Sequence, residues 1–303
     1  MQKLLIFDSH AFIHRAFHAI KPDLTTKAGI STNAVYGFFS MILSMIKNET
    51  PDYCVFAFDS KEKTFRHNMF SQYKATRVKA PDGLYQQIDI IKEGLTAFKA
   101  NCIAVPGFEA DDIIGAVANT AYKNNLQTII ATGDLDALQL VNSQVVVASP
   151  SKGIRNIEYY DENKVKERFS ITPEQIPDYK AICGDKSDNI PGVRQIGHKQ
   201  TIKLLIKFSN LENIYKNLDK IDSERLKNLL IQDKDKAFLS KELATIDKNM
   251  KIDFDLDKAN LQNYDVLRLE EFFKKYECFN LIPKINFLKQ QKSKTENIQP
   301  SLF

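Results

Sequence analysis

The chain has 303 residues, 43% of them hydrophobic and 26% charged, with a net charge of +4. That apolar share can build a proper core, so wholesale disorder is excluded, and the chain has no apolar run long enough to read as a membrane span. The positive balance is mild, but the acids cluster while Lys and Arg are spread widely, a distribution suited to a polyanionic partner.

The N-terminus runs directly into KLLIF (3–7), which reads as a buried strand closed by Asp8. No basic segment and cleavable apolar run precede it, which predicts a cytoplasmic protein. His10, His14 and His18 follow at helical spacing. The outer two stand about 12 Å apart along a helix, so one ion cannot collect all three, and helix-face or phosphate contacts are the plainer reading. Val35, Phe38, Phe39, Ile42, Leu43 and Ile46 predict a helix over 32–48, and YCVFAF (53–58) a second strand ended by Asp59. The segment KEKTFRHNMFSQYKATRVKAP (61–81) carries six Lys/Arg, one acid and interleaved aromatics. A solvated loop would explain it, but nucleic-acid contact explains it better, because aromatic faces stack on unpaired bases while cations hold phosphates.

CIAV (102–105) predicts a third strand, followed across a Pro-Gly turn by GFEADDIIG (107–115), the start of a helix over 109–124. TIIAT (128–132) predicts a fourth strand, then GDLD with Asp134 and Asp136, then VVVA (145–148). Strands alternating with helices predict an α/β fold with a mostly parallel sheet and helices on both faces. Ligands of such sheets sit beyond the carboxyl ends of the strands. Asp8, Asp59, the Glu109–Asp111–Asp112 group and the Asp134–Asp136 pair all fall there. Asp8 and Asp134 could each be a helix cap. Helix starts favour each acid by a fraction of a kcal/mol to about 1 kcal/mol, too little to hold the whole set. All-oxygen carboxylate sites suit Mg²⁺, with Mn²⁺ as substitute, and two such ions would assist phosphodiester cleavage, although the acids alone do not count the ions.

Beyond residue 150 the pattern turns helical. GDKSDNIPGVRQIGHKQT brings Asp185 and Asp188 three apart, and Gly192-Val193-Arg194-Gln195-Ile196-Gly197 has the look of a helix–hairpin–helix turn followed by a basic helix with His198, Lys199 and Lys203. The four cysteines form no C-x-x-C pair and read as buried free thiols. KQQKSKTENIQPSLF at the end reads as a mobile tail.

FDSHAFIHRAFHA, AVYGFF, FAFDS, FRHNMFSQYKATR, VPGFEADDIIG, ATGDLDALQL and GDKSDNIPGV together resemble the bacterial 5′-nuclease family, the N-terminal domain of DNA polymerase I and its free-standing relatives, over about residues 3–288. The resemblance implies a PIN-like (Rossmann-like) catalytic domain over 1–165 with an arch at about 61–82, a helical DNA-binding domain over 166–288 and a tail over 289–303. It implies a structure-specific, metal-dependent 5′-3′ exonuclease and 5′-flap endonuclease that acts on branched DNA and RNA–DNA primer junctions in Okazaki fragment processing and repair, as a monomer. One metal is implied at Asp8, Asp59, Glu109 and Asp111, and a second near Asp111, Asp134, Asp136 and Asp188, with Asp112 and Asp185 supporting through water. Lys74 and Arg77 match the arch residues that steer the scissile phosphate. Tyr73 looks like a base-stacking residue, and Arg15, His18 and Arg66 belong to the implied DNA contacts. The hairpin residues Gly192, Val193, Gln195, Ile196 and Gly197, with Lys199, resemble the family's duplex-binding element, which often holds K⁺; Gln195 stands where the family usually has glycine.

The chain stops where polymerase I would hand over to its remaining domains. QPSLF resembles the peptide that docks bacterial sliding clamps, with Gln299, Leu302 and Phe303 as anchors. A PIN-type ribonuclease would lack the arch and hairpin. A non-catalytic branched-DNA-binding protein associated with the clamp would gain nothing from so many acids near phosphates.

Overall fold

The computed structural model of the chain describes residues 1–21, 23–151 and 156–290. Six strands form one sheet: β1 (Lys3–Asp8), β2 (Tyr53–Ala57), β3 (Cys102–Ile103), β4 (Gln127–Ala131), β5 (Val145–Pro150) and β6 (Ile157–Tyr160), in the order β3-β2-β1-β4-β5-β6. The first five are parallel and β6 runs antiparallel to β5. The chain order doubles back at β1, between β2 and β4, and such a switch point opens a crevice at the carboxyl ends of the strands.

Thirteen α-helices are present among the described residues. In the first half these are α1 (Ser9–Ala19), α2 (Asn33–Glu49), α3 (Phe65–Met69), α4 (Asp82–Ala97), α5 (Ala110–Lys123) and α6 (Glu162–Phe169). In the second half they are α7 (Ile176–Cys183), α8 (His198–Phe208), α9 (Leu211–Lys216), α10 (Glu224–Gln232), α11 (Lys234–Ala244), α12 (Leu256–Ala259) and α13 (Val266–Lys275). No helix among the described residues is long and apolar enough to cross a membrane.

Successive strand residues point to opposite faces, and the core divides accordingly. Leu4, Ile6, Val55, Ala57 and Ile130 pack with α5 and the helical second half. Leu5, Phe7, Cys54, Phe56 and Ile129 pack with α1, α2, α4 and the returning α13. The central strands are apolar on both faces because both faces are covered. Gly94 on α4 is where three elements meet: a Cβ there would stand 2.6 Å from both Phe39 and Phe272. A third, small cluster joins Tyr73 to Ile190, Leu243 and Ala244, so the segment after α3 is packed against the helical half.

Two expectations change, and one strand was not expected. The third strand is only two residues long, at the sheet edge with β2 as its single neighbour. Its Cys102 is exposed and Cys183 is half-buried; only Cys54 and Cys278 are buried thiols. The antiparallel strand β6 carries no strict alternation that would have announced it.

Candidate metal centre

Each acid at the crevice is placed by a backbone rule. Asp8 ends β1 and caps α1, accepting from the Ala11 N–H at 3.0 Å, and its other oxygen accepts from the Thr132 hydroxyl at 2.7 Å. Asp134 caps the turn after β4 by accepting from the Asp136 N–H at 2.9 Å. Asp59 lies beyond β2 yet accepts from the Ala110 N–H at 2.8 Å, so it caps a helix of another segment. Glu109 is the N-cap of α5 and makes a capping box with Asp112. The capping role and the clustering are therefore both real, and they coexist at Asp8 and Asp134.

The nine acids sort into four groups. Asp8, Asp59, Asp111 and Asp134 line one cavity of about 210 Å³ together with His10, His14, Lys74 and Arg77. Glu109 and Asp188 face the basic segment: Lys74 Nζ lies 2.9 Å from Glu109 and 3.8 Å from Asp188, and Arg77 lies 2.6 Å from Asp188. Asp136 and Asp185 both pair with Lys180. Asp112 stands apart on a buried Arg66, at 2.7 and 2.8 Å.

Electrostatics follow from this sorting. Burial, aided by Asp59 and Asp134, pushes Asp8 up to about 6. Burial, with Asp134 and Asp8 alongside, holds the Asp111 carboxyl well above the usual range. Burial and Asp134 push Asp136 up to about 6 in spite of Lys180. At Asp185 the outcome reverses, because Lys180 and Ser187 outweigh burial and hold it at about 2. Burial lowers His10, whose Nδ1 lies 3.2 Å from the Asp59 backbone nitrogen and 3.3 Å from the Asp59 carboxylate. Burial also lowers His14.

Among the described residues no three such side chains stand closed as a ready cage for one ion. The donor set nonetheless fits a hard divalent cation: crowded carboxylate oxygens, raised toward protonation by burial and then by one another, lining a cavity of about 210 Å³. An array of this kind gains by taking a cation in place of protons.

Six expected contacts are corrected by burial. Asp112 is fully buried, both its oxygens are taken by Arg66, and one also accepts from the Asp247 N–H at 2.8 Å, so it offers nothing to a metal-bound water. Arg66 is itself buried and has no guanidinium face for DNA. Tyr73 is 3% exposed, and its hydroxyl donates toward Glu109 (3.1 Å) and lies 3.3 Å from Asp188, so it cannot stack on a base as it stands. Val193 and Ile196 are core residues that root the hairpin, while Gln195, Gly197 and Lys199 are exposed. Gly192 is buried, and its N–H is spent on Ser240 Oγ at 3.0 Å. A side chain satisfied inside the protein is not available to a ligand unless it moves.

The remaining residues lie where a polyanion could reach them. His18 is exposed on α1, and Arg15 is half-buried with its guanidinium donating to the Ser151 carbonyl at 3.1 Å. Lys74 adopts a left-handed φ of 55°, and its N–H donates to the Asp188 carbonyl at 2.9 Å. That strained backbone is what turns the side chain inward over the acids. Gln195 also takes a left-handed φ, 61°, the geometry that favours glycine at this position, and its side chain accepts from Arg225 at 3.0 Å. Lys180 was not anticipated from the sequence. The one available signal is a lone lysine in the otherwise apolar end of α7, five residues before Asp185. Gln299, Leu302 and Phe303 lie outside the described residues.

Residues 3–170 match the profile of the 5′-3′ exonuclease N-terminal resolvase-like domain, and residues 171–266 that of the 5′-3′ exonuclease C-terminal SAM fold. The chain is 36% identical to a 5′-3′ exonuclease of Aquifex aeolicus, with all of both chains covered. It is 42% identical to DNA polymerase I of Caldicellulosiruptor bescii over 93% of this chain and 33% of that one. It therefore spans about a third of the length of the DNA polymerase I relatives it matches. Among solved structures, it resembles the T5 5′-exonuclease with bound zinc at TM-score 0.68 and 21% identity, covering 92% of this chain and 99% of that one. It also resembles the catalytic core of Rad2 in complex with DNA substrate at TM-score 0.61 and 18% identity, covering 94% and 92%. At such identities the structural likeness speaks for the fold.

Proposed function

The chain belongs to the 5′-3′ exonuclease family, and on that premise we propose that it is a divalent-metal-dependent nuclease that cuts the 5′ strand at flaps, nicks and primer junctions, as in Okazaki fragment processing and repair. One observation carries the reading: the ends of separate parallel strands and the start of α5 bring Asp8, Asp59, Asp111 and Asp134 to one cavity, with Lys74 and Arg77 on its rim. Asp8, Asp59, Glu109 and Asp111 would hold one Mg²⁺ or Mn²⁺ ion, and Asp134, Asp136 and Asp188, sharing Asp111, a second. When bound, the ions supply an activated water and charge stabilisation for the leaving oxygen.

The chain's own groups bind and orient. Lys74 and Arg77 are held over the acids by Glu109 and Asp188, and a phosphate entering the cavity competes with those carboxylates for the same cations. Transfer of the two cations to the scissile phosphate offsets charge that grows in the transition state. Lys180 bridges Asp136 and Asp185 and offsets the charge of both. The exposed hairpin groups Gln195, Gly197 and Lys199 would seat the duplex phosphates, with K⁺ as an added counter-charge, and His18 and Arg15 would approach the same strand from α1.

Cleavage of a 5′-labelled flap substrate in Mg²⁺ tests this, comparing the wild type with Asp134→Ala. Cuts near the junction that vanish in the variant support it; tight binding of intact flap DNA by the wild type in Mg²⁺ would favour the non-catalytic scaffold instead. A second part of the proposal, clamp docking by Gln299, Leu302 and Phe303, rests on the QPSLF motif alone. Deleting 299–303 should leave flap cleavage unaltered and abolish clamp binding in a pull-down; unchanged clamp affinity refutes it.

A further inference from the structure

Arg66 lies at the base of the arch, on α3, and is 2% exposed. Its guanidinium has five N–H donors in a rigid fork. Nη1 and Nη2 donate to the two oxygens of Asp112 at 2.7 and 2.8 Å. Nε donates to the Leu243 carbonyl at 2.9 Å, and Nη2 also donates to the Thr245 carbonyl at 2.8 Å. Leu243 and Thr245 stand at the C-terminal end of α11, where orphan carbonyls and the helix dipole favour a cation. Asp112 stands in the first turn of α5, beside Asp111 and three residues after Glu109.

The other end of the path is equally specific. Ser240, on α11, accepts from the Gly192 N–H of the hairpin at 3.0 Å, and both groups are buried. The rod of α11 thus touches the hairpin near its middle and the guanidinium at its end. The same helix end contributes Leu243 and Ala244 to the small cluster that holds Tyr73 and Ile190.

Glu109 is the sensitive neighbour. Its carboxylate lies 3.7 Å from Arg66 Nη1 but 2.9 Å from Lys74. While Asp112 takes the guanidinium in a bidentate pair, Glu109 stays aimed at the cavity side. Without the Asp112 charge, a buried guanidinium would have Glu109 as its nearest anion and would draw it away.

Resting on the nuclease reading above, we propose that Arg66 and Asp112 form a positioning pair, not a DNA contact and a metal ligand: the pair clips the hairpin-bearing α11 to the start of α5 and keeps Glu109 free for the reaction. Lysine cannot replace Arg66, because a single ammonium cannot span the carboxylate and both carbonyls.

The test uses the full chain with flap DNA, under single-turnover conditions in Mg²⁺. Arg66→Lys and Asp112→Asn should each bind flap DNA within about threefold of wild type in Ca²⁺. Each should cleave on the order of tenfold to a hundredfold more slowly, the effect expected of sub-ångström to ångström misalignment. The double variant should be no slower than the worse single one, because the two residues act as one unit. Half-saturation by Mn²⁺, read from the free-ion paramagnetic signal, should rise in Asp112→Asn, where Arg66 captures Glu109, and return to the wild-type value in Arg66→Met combined with Asp112→Leu, which has no guanidinium to capture it. Wild-type cleavage by Arg66→Lys overturns the proposal, as do multiplicative losses or a Mn²⁺ requirement that stays raised when Arg66→Met is added to Asp112→Leu. Should a single variant fail to fold, Arg66→Met combined with Asp112→Leu removes both charges while keeping apolar volume. It should fold and cleave slowly, and a wild-type rate from it overturns the proposal. A wild type that does not cut flap DNA defeats the nuclease reading, and the Mn²⁺ half-saturation comparison still tests the pair; a wild type that cuts beside equally fast variants defeats only the pair.

Discussion

Replacing Asp8 by asparagine should make the metal-free protein more stable and leave the nuclease inactive. The carboxyl is moved from an ordinary 3.8 to about 6 by burial and by Asp59 and Asp134. At 1.36 kcal/mol per pH unit of displacement, the ionised form costs the folded state about 3 kcal/mol. The sign follows directly. A carboxyl raised in the folded state is no burden below pH 4, where it is protonated in both states; the stability is lost as pH rises through about 6. Asparagine can keep both contacts: its carbonyl can cap Ala11, and its amide can donate to Thr132 Oγ1, which also accepts from the Asp134 N–H at 2.9 Å. For a chain of this length, about 3 kcal/mol corresponds to roughly 5 °C in Tm. Thermal melts in EDTA at pH 8 should show the variant above wild type by up to that amount, and melts at pH 4 should show no gain. Flap cleavage in Mg²⁺ should fall below detection, and Mg²⁺ should raise the wild-type Tm more than the variant's. An Asp8→Asn protein that melts lower than wild type at pH 8 in EDTA would refute the account, because it would mean that the acid stabilises the fold instead of straining it.

Three further substitutions probe the frame around the site. Gly192→Ala should cost at least about 2 kcal/mol in urea unfolding and weaken duplex binding, since its φ is 62° and a Cβ would stand 2.4 Å from the Gly184 nitrogen; a variant with wild-type stability would contradict the close approach. Gln195→Gly should gain about 0.5 kcal/mol, the relief of a left-handed φ less the added freedom of the unfolded chain, and a loss of more than 1 kcal/mol would show that the Arg225 contact dominates. Lys180→Met should lower stability in EDTA by about 2 kcal/mol or more at pH 8, because Asp136 and Asp185 lose their shared cation. The loss should shrink at pH 5, where Asp136, raised to about 6, carries its proton; equal losses at both pH values would dismiss the repulsion argument.

Much of this protein is written locally. The apolar runs 3–7, 53–58 and 128–132 and the helical pattern 32–48 appear as β1, β2, β4 and α2 nearly to the residue, because alternation and helical periodicity are properties of neighbouring positions. The placement of acids after strands was legible for the same reason, since a parallel α/β sheet exposes its strand ends on one edge. Which acids share a cavity was not. Asp111 and Asp112 are adjacent, yet one faces Asp8 and Asp134 while the other is locked to Arg66 from 46 positions away. Arg66, Tyr73 and Lys74 look equally basic or aromatic and solvent-ready in the segment 61–81. Only packing decides that Arg66 goes under the arch, Tyr73 into a small core with Ile190 and Leu243, and Lys74 over Glu109. The sequence by itself determined the residue types, their periodicity and the strand ends that gather them. The tertiary structure alone decided which charge meets which, because pairing and burial depend on distances across segments that no local pattern encodes.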